Sequence, residues 1–362
     1  PFEINVANYE ENRHFFLGHF FYKNYDTWMS RLPTPLTGIT LNRVEVWVTN
    51  KSGQSSNTRN IIAIPMLGES TTGGNPYNRA NGMYEGLVSI SDVRDINKAS
   101  DLLEGKTIGE VTSMTGGTDY EKIEKARLLT SSEYTVNTSM GYISLKTTLH
   151  TDQVLAIAYE YTYNGTTYQV GEFSGDITDV NSALIVKSLK NTTCTPSQPN
   201  WKLMMRNVYY LASSVQKEKF KLDVKYQSDS TGVYVNYIPE NATKSTPLIR
   251  LLGADRLDNN NKAHSNGFYD FVEGYTVTNG RVFFPLAEPF GEGLITAMKG
   301  KGVSESVAAQ YAFTDLYTQT KTSAKQNTER NRFQLVGQFK GSSANVISLG
   351  AYNVPQGSVV VT

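Results

Sequence analysis

The chain has a single cysteine and no long apolar run, and each absence excludes a class of protein. With Cys194 alone, neither an internal disulfide nor a zinc site built on cysteines can form. No apolar stretch approaches the roughly 20 residues that a membrane-spanning helix requires. We therefore expect no direct membrane insertion by such a helix.

An excess of one charge is also missing. The 34 Lys and Arg residues balance the 34 Asp and Glu residues, so the formal net charge is zero. No run of Lys or Arg indicates a local basic patch. The usual electrostatic argument for binding nucleic acid or an anionic membrane surface is therefore lost, and we expect no nucleic-acid partner.

Motifs of known catalytic sites are scarce as well. "SDLLEGKTIG" (100–109) contains Gly105-Lys106-Thr107, but Ser100 stands where a phosphate-binding loop needs glycine, so Gly105 is better interpreted as the end of a helix. No Gly-x-Ser-x-Gly turn is present. A carboxylate pair of a glycosidase has no fixed sequence spacing, so nothing positive points to one. The sequence indicates no catalytic residue and favours a protein that is not an enzyme. The histidines are scattered without the spacing of metal ligands: His14, His19, His150 and His264.

What the sequence does contain is a pattern that occurs twice. Helices with a Trp-Met face are predicted over 24–32 and 200–208, each behind an asparagine, Asn24 or Asn200. The shared faces are Tyr25, Trp28, Met29 and Leu32 in one copy, and Trp201, Met204, Met205 and Val208 in the other.

The segments around each helix agree too. An apolar strand is predicted before each helix, at 14–21 and 183–189. A strand is predicted after each helix. In both copies its first apolar residue comes 19 residues after the first residue of the helix face, since 44 − 25 and 220 − 201 both equal 19. Similar Tyr-Thr-Val hairpins follow at 133–145 and 274–286.

This repetition predicts an α+β fold of two tandem related domains, residues 1–178 and 179–362. Each would be a mixed β-sheet or sandwich with helices packed on one face. Between strand and hairpin, the capping-box spacing of Thr118 and Glu121 predicts a helix over 118–129. A half-buried strand is predicted over 154–163. Later elements are a helix at 304–317 and strands at 333–339, 345–351 and 357–361.

Two polar segments are candidates for ligand binding. Residues 255–274 offer oxygen ligands of the kind that Ca²⁺ prefers, with Gly267 for a tight turn. Lys262 stands where a calcium loop would place another acid, so a turn that satisfies its own backbone is the preferred interpretation. We commit to no metal site, and calcium stays open with these candidate ligands: Asp258, Asn260, Asn266 and Asp270.

The second segment surrounds an Asn164-Gly165 turn. Its aromatic side chains could bind a sugar, but alternating aromatics in a hairpin are usually cross-strand pairs. These side chains are Tyr161, Tyr163, Tyr168 and Phe173.

Laid out in order, these segments resemble one family closely, that of SprA, also called Sov. This is the giant outer-membrane translocon of the type IX secretion system, tied to gliding motility in the Bacteroidetes. The matching stretches are "NRVEVWVTNKSG", "TRNIIAI", "GTDYEKIEKARLL", "EYTVNTSMGYISL", "AYEYTYNGTTYQVGEFS", "NWKLMMRNVY", "NGRVFFPLAEPFG" and "LGAYNVPQGSVVVT".

The resemblance implies a non-catalytic, extramembrane part of the translocon, in the cell envelope at the outer membrane and on its extracellular rather than periplasmic side. The strand-like ending at 352–362 leads us to expect an internal fragment. Implied partners are other parts of the parent protein, barrel-associated secretion proteins and secreted cargo. The alternative is a cell-surface adhesion or glycan-binding module, which would need an exposed aromatic platform.

Overall fold

The computed structural model describes residues 1–69, 79 and 81–340. Within them the chain is α+β, as predicted. The strands are β1 (Phe2–Asn5), β2 (His14–Phe16), β3 (Ile39–Val48), β4 (Thr58–Ile64), β5 (Glu121–Leu128), β6 (Tyr134–Asn137), β7 (Tyr142–Leu145), β8 (Leu155–Tyr163), β9 (Thr166–Val170), β10 (Leu184–Lys190), β11 (Val208–Tyr210), β12 (Lys221–Gln227), β13 (Tyr234–Val235), β14 (Val277–Thr278), β15 (Arg281–Phe283) and β16 (Phe333–Gln338).

The helices are short. They are α1 (His19–Met29), α2 (Met83–Val88), α3 (Ala99–Leu103), α4 (Leu248–Leu251), α5 (Glu292–Lys299), α6 (Glu305–Tyr311), α7 (Asp315–Thr318) and α8 (Lys321–Gln326), with 3₁₀ turns at Val6–Asn8 and Trp201–Leu203. Over the residues the structure describes, none of these helices has the length and apolarity needed to cross a bilayer.

Two larger sheets carry two apolar cores. The first has the order β10-β4-β5-β3-β8-β9 and is mixed, since β10 runs parallel to β4 while the other pairs are antiparallel. The second has the order β1-β16-β12-β13 and is antiparallel. Each sheet contains one strand from the other half of the sequence. Strand β10, from the second half, lies in the first sheet, and β1, from the first half, lies in the second sheet. The division at 178/179 stays a prediction.

Two small sheets repeat one order of pairing. In β2-β7-β6 and in β11-β15-β14, an early strand pairs with the second strand of a hairpin. Both predicted Tyr-Thr-Val hairpins are therefore confirmed. Their turns contain Gly141 and Gly280 at φ +71° and +73°, where a Cβ would lie 2.1 Å from the Phe21 ring or 1.6 Å from the carbonyl oxygen of Ala212. Only glycine fits either turn.

Helix α1 belongs to the first core and contacts the second. Its apolar face is buried, and the Tyr25 side chain reaches the second half of the chain. The helix is confirmed, but it begins at His19 rather than after Asn24, whose amide instead donates to the carbonyl of Phe20 at 2.8 Å. We define the junction as the contact of α1 with Asn207, Phe284 and Ala287.

The second predicted Trp helix is wrong. Trp201 lies in a single 3₁₀ turn, and Val208 already belongs to β11. Its indole donates to the carbonyl of Tyr317 at 2.8 Å, whereas Trp28 packs edge-on against Phe20 at 5.9 Å. The spacing of apolar residues was helical, but these residues face different neighbours, so equal spacing did not produce equal structure.

The helix predicted at 118–129 is also wrong. This segment is β5, which pairs with β4 along most of its length and with β3 at its end. The carboxylate of Glu121 caps no helix and accepts the N–H of Thr192 at 2.7 Å. Pairing with two neighbouring strands outweighed the local capping signal.

Other predictions have mixed outcomes. Strand 154–163 is confirmed as β8, yet it is buried on both faces, since Ala156 and Ala158 join a third apolar cluster behind the sheet. The helix at 304–317 is broken into α6 and α7. Strand β16 confirms the element at 333–339, while the strands predicted at 345–351 and 357–361 lie outside the described residues.

Candidate functional site

The ionisable cluster nearest to a catalytic arrangement lies between the two small sheets. Nδ1 of His14 is 2.7 Å from Oγ of Ser144, and Nε2 of the same ring is 2.8 Å from Oε2 of Glu10. Strand β2 supplies His14, and β7 places Ser144 directly opposite it. The order serine, histidine, carboxylate is that of an activated nucleophile.

Two guanidinium groups share the carboxylate of Glu10. Nε of Arg281 on β15 lies 2.6 Å from Oε2, and Nη1 of Arg13 lies 2.8 Å from Oε1. Burial raises the pKa of Glu10, but hydrogen bonds from His14 and Arg281 and the charge of Arg281 outweigh it and lower the pKa to about 2. Glu10 is therefore ionised and connects β2 to β15, one strand from each half of the chain.

The imidazole of His14 is held neutral. Burial is the largest effect on its pKa, which is lowered despite the hydrogen bond with Glu10. The network then assigns the proton to Nε2, which donates to Glu10, so Nδ1 accepts the hydroxyl proton of Ser144. The ring is 1% exposed and packs edge-on against Phe283 at 5.4 Å between centroids.

An open groove of about 380 Å³ borders this cluster, and Ser144 and Arg281 line it. Strand β7 is the middle strand of its sheet, paired with β2 on one side and β6 on the other. The backbone N–H groups around Ser144 are thus committed to the sheet, which leaves no backbone pair to stabilise an oxyanion there. Glu10 is already neutralised by two cations, so it stabilises an imidazolium poorly. The cluster is suited to holding the two sheets together.

A second buried cluster fixes the start of α1. Lys187 on β10 is fully buried, and its Nζ donates to Oε2 of Glu69 at 2.9 Å and to the carbonyl of Pro65 at 2.8 Å. Nδ1 of His19 lies 2.6 Å from the same carboxylate oxygen, and the N–H of His19 bonds to the other. Burial raises the pKa of Glu69, but Lys187 and His19 outweigh it and lower the pKa to about 2.

The two carboxylates among the candidate calcium ligands are engaged with the backbone. Oδ1 of Asp258 accepts the N–H groups of Asn260 and Lys262 at 2.7 and 2.9 Å, and Asp270 accepts those of Arg256 and Leu257. These hydrogen bonds are those of a turn whose side chains satisfy its own backbone, the interpretation that the sequence favoured. In the described part of the chain, no group of three or more His, Cys, Asp or Glu residues is placed to hold a metal ion.

Two of the candidate sugar-binding aromatics form a cross-strand pair. Tyr161 stacks on Tyr168 at 5.3 Å across the β8–β9 hairpin, whose turn is Asn164-Gly165 as predicted. Tyr161 and Phe173 are 3% and 1% exposed, so neither presents a ring face to solvent. Gly105, in the segment that was compared with a phosphate-binding loop, marks the end of a helix as predicted. It lies just past the end of α3 at φ +69°.

The sequence reasoning missed Glu10, Ser144 and Arg281. Glu10 lies in an irregular segment and His14 in a strand, and their partners Arg281 and Ser144 are 271 and 130 residues away in the sequence. No local signal brings such residues together. No known family model matches the chain, and no curated protein matches it significantly.

Proposed function

We propose that this chain is a non-catalytic extramembrane part of an outer-membrane translocon of the type IX secretion system. The ordered resemblance of eight stretches to SprA supports this family, and with it a location at the cell surface of a gliding bacterium of the Bacteroidetes. Its role is structural and partner-binding, and its partners are other parts of the parent protein, barrel-associated secretion proteins and secreted cargo.

The observation that carries the structural role is the use of Glu10. Its carboxylate pairs with His14 and Arg13 from the first half of the chain and with Arg281 from the second half. The carboxylate of a catalytic triad stabilises the imidazolium that forms on its histidine, whereas two guanidinium groups already neutralise Glu10. Here the charges join strands from both halves, as expected for a part that must keep its form within a larger assembly.

A deletion in the parent gene tests the proposal. Replacing the sequence coding for this chain by a Gly/Ser linker should abolish the release of secreted proteins into the medium and stop gliding. Ser144→Ala serves as the matched variant, because it removes the candidate nucleophile and little else. We expect it to secrete normally.

Two results would overturn the proposal. Normal secretion by the linker strain would remove the translocon role. Loss of secretion in Ser144→Ala, with the thermal unfolding midpoint unchanged, would point to catalysis instead.

Crosslinking tests the partner-binding role. A photo-crosslinking residue at Leu36 or Val180, which are 77% and 67% exposed, should form adducts with secretion proteins in the intact envelope. Saturable glycan binding without such adducts would favour the adhesion module.

A further inference from the structure

Asparagine is followed directly by glycine at four places in the sequence: 81–82, 164–165, 266–267 and 279–280. Such a pair is able to lose the side-chain amide spontaneously. The backbone nitrogen of the glycine attacks the side-chain carbonyl carbon of the asparagine, and glycine permits this approach because it has no side chain. In a folded chain the reaction therefore requires that both groups are free to move.

Two of the four pairs are held by hydrogen bonds. The side-chain carbonyls of Asn81 and Asn266 each accept the N–H group two residues later, at 3.1 and 3.0 Å. The N–H of Gly267 donates to the carboxylate of Asp255 at 3.1 Å, and the N–H of Gly82 donates to a backbone carbonyl at 3.1 Å. In both pairs the attacking nitrogen and the attacked carbonyl are engaged.

The third pair, Asn279-Gly280, is held by its packing. Gly280 is buried, and its carbonyl accepts the N–H groups of Leu211 and Ala212 at 2.9 and 3.2 Å. The carbonyl of Asn279 accepts Nη1 of Arg281 at 2.9 Å. The peptide group between Asn279 and Gly280 therefore cannot rotate toward the side chain without breaking that hydrogen bond.

The pair Asn164-Gly165 lacks these restraints. Both residues are exposed in the turn between β8 and β9, at φ +48° and +85°. Within the described part of the chain, neither the side chain of Asn164 nor the N–H of Gly165 makes a hydrogen bond. Apart from its chain neighbours, no atom lies within 4 Å of the position that a Cβ on Gly165 would occupy. The nitrogen and the carbonyl carbon are both accessible.

We propose that Asn164 is a site of spontaneous deamidation in the folded chain. The nitrogen of Gly165 forms a bond to Cγ of Asn164 and gives up its proton, and the bond from Cγ to Nδ2 breaks, so that ammonia leaves with that proton. A water molecule then opens the cyclic imide by adding hydroxyl to one carbonyl carbon and a proton to the ring nitrogen. Attack at Cγ gives aspartate, and attack at the main-chain carbonyl gives isoaspartate.

The reaction changes the hairpin in charge and in length. Both products add a carboxylate to the turn, and isoaspartate also adds a methylene group to the main chain. A turn of two residues pairs Tyr163 with Thr166, and an extra main-chain atom does not fit this register. Among the described strands β9 pairs with β8 alone, so no second strand holds it. The reaction needs only this chain and water, and is independent of the translocon role.

Ageing of the whole chain tests the proposal. The chain is kept in mildly alkaline buffer with and without guanidinium chloride, and digests are analysed by mass spectrometry, which distinguishes asparagine from its acidic products. In the folded chain we expect Asn164 to react at least about tenfold faster than the other three asparagines, because their restraining hydrogen bonds must break first. In denaturant the four rates should become similar. An intact Asn164, or four similar rates in the folded chain, would overturn the proposal.

Two variants assign the ammonia that is released. In Asn164→Gln the longer side chain would have to close a larger ring, so this variant should lose most of the ammonia release and keep its thermal unfolding midpoint during ageing. Asn279→Gln is the matched control, because Asn279 also precedes glycine in a hairpin turn at positive φ; it should release ammonia as the wild type does. Unfolding midpoints before ageing show that each variant is folded. Equal ammonia release by the two variants would contradict the assignment to Asn164.

Discussion

The hydroxyl of Tyr25 donates a 2.7 Å hydrogen bond to the carbonyl oxygen of Phe284, a residue 259 positions later in the sequence. Tyr25 lies on α1 and is fully buried, and the amide of Asn207 donates to its hydroxyl at 3.2 Å. One side chain therefore connects the helix of the first core to the strand end of the second.

Removing this hydroxyl should weaken the junction. We expect Tyr25→Phe to lower the free energy of unfolding by about 1–2 kcal/mol, because the buried amide of Asn207 loses an acceptor and a hydrogen bond is lost. Denaturant unfolding measures the change. Tyr163→Phe, at a half-buried ring outside the junction, should have little effect, and equal effects of the two variants would contradict the role of Tyr25.

Breaking the pair between Lys187 and Glu69 should be more costly. Lys187→Met leaves the buried carboxylate of Glu69 without its lysine partner, so we expect a loss of about 3–5 kcal/mol. Because the folded pKa of Glu69 is about 2, below its ordinary 4.5, its stabilising contribution is full above pH 4.5 and is lost as the pH falls toward 2. The double variant Lys187→Met/Glu69→Gln should recover much of the loss; no recovery would mean that packing, not charge, is responsible.

Asp26 should produce the opposite pH dependence. Burial raises its pKa to about 6, although the N–H of Ala287 bonds to it at 2.7 Å. A raised carboxyl pKa favours the fold below the unfolded value near 3.8, and this advantage is lost as the pH rises through 6. Asp26→Asn should therefore be more stable than the wild type at pH 8, by about 1–2 kcal/mol, and lose that advantage at pH 4. A difference independent of pH would contradict this assignment.

A double-mutant cycle checks the connection between Glu10 and Arg281. We expect Glu10→Gln and Arg281→Gln to couple by about 1–3 kcal/mol in unfolding free energy, because both side chains are largely buried and in contact. The exposed pair of Lys98 and Asp92, at 2.8 Å, is the control and should show almost no coupling. Similar coupling in the two pairs would remove the special role given to Glu10.

Calcium should leave the thermal stability of the chain unchanged. The carboxylate of Asp258 is already used by two backbone N–H groups, so Ca²⁺ would have to displace them. We expect no shift of the unfolding midpoint when Ca²⁺ is added or chelated. A rise that disappears in Asp258→Ala, but persists when the distant Asp92 is replaced by alanine, would restore the calcium site.

Local chemistry predicted the hairpins and several strands correctly. Asn164-Gly165 and Asn279-Gly280 allow the positive φ angles that tight turns need, and alternation predicted β12, whose inward residues include the fully buried Leu222 and Val224. These signals act between residues close in sequence. They depend little on the rest of the molecule.

The failed predictions involve distant partners. The segment 118–129 has a capping signal and yet forms β5, because β4 and β3 offer it two edges to pair with. The helical spacing after Trp201 was lost to β11, which pairs with β15. A few tenths of a kcal/mol of helix preference per residue do not outweigh a set of strand pairs and a buried face.

The amino-acid sequence alone determined the turns, the alternating strands, the α+β class and the balance of charge, since these follow from backbone preferences and residue types over short distances. The tertiary structure alone decided which charged groups pair: Glu10 with Arg281, and Lys187 with Glu69. These ion pairs form because strands far apart in sequence lie next to each other, and no short-range pattern encodes that arrangement.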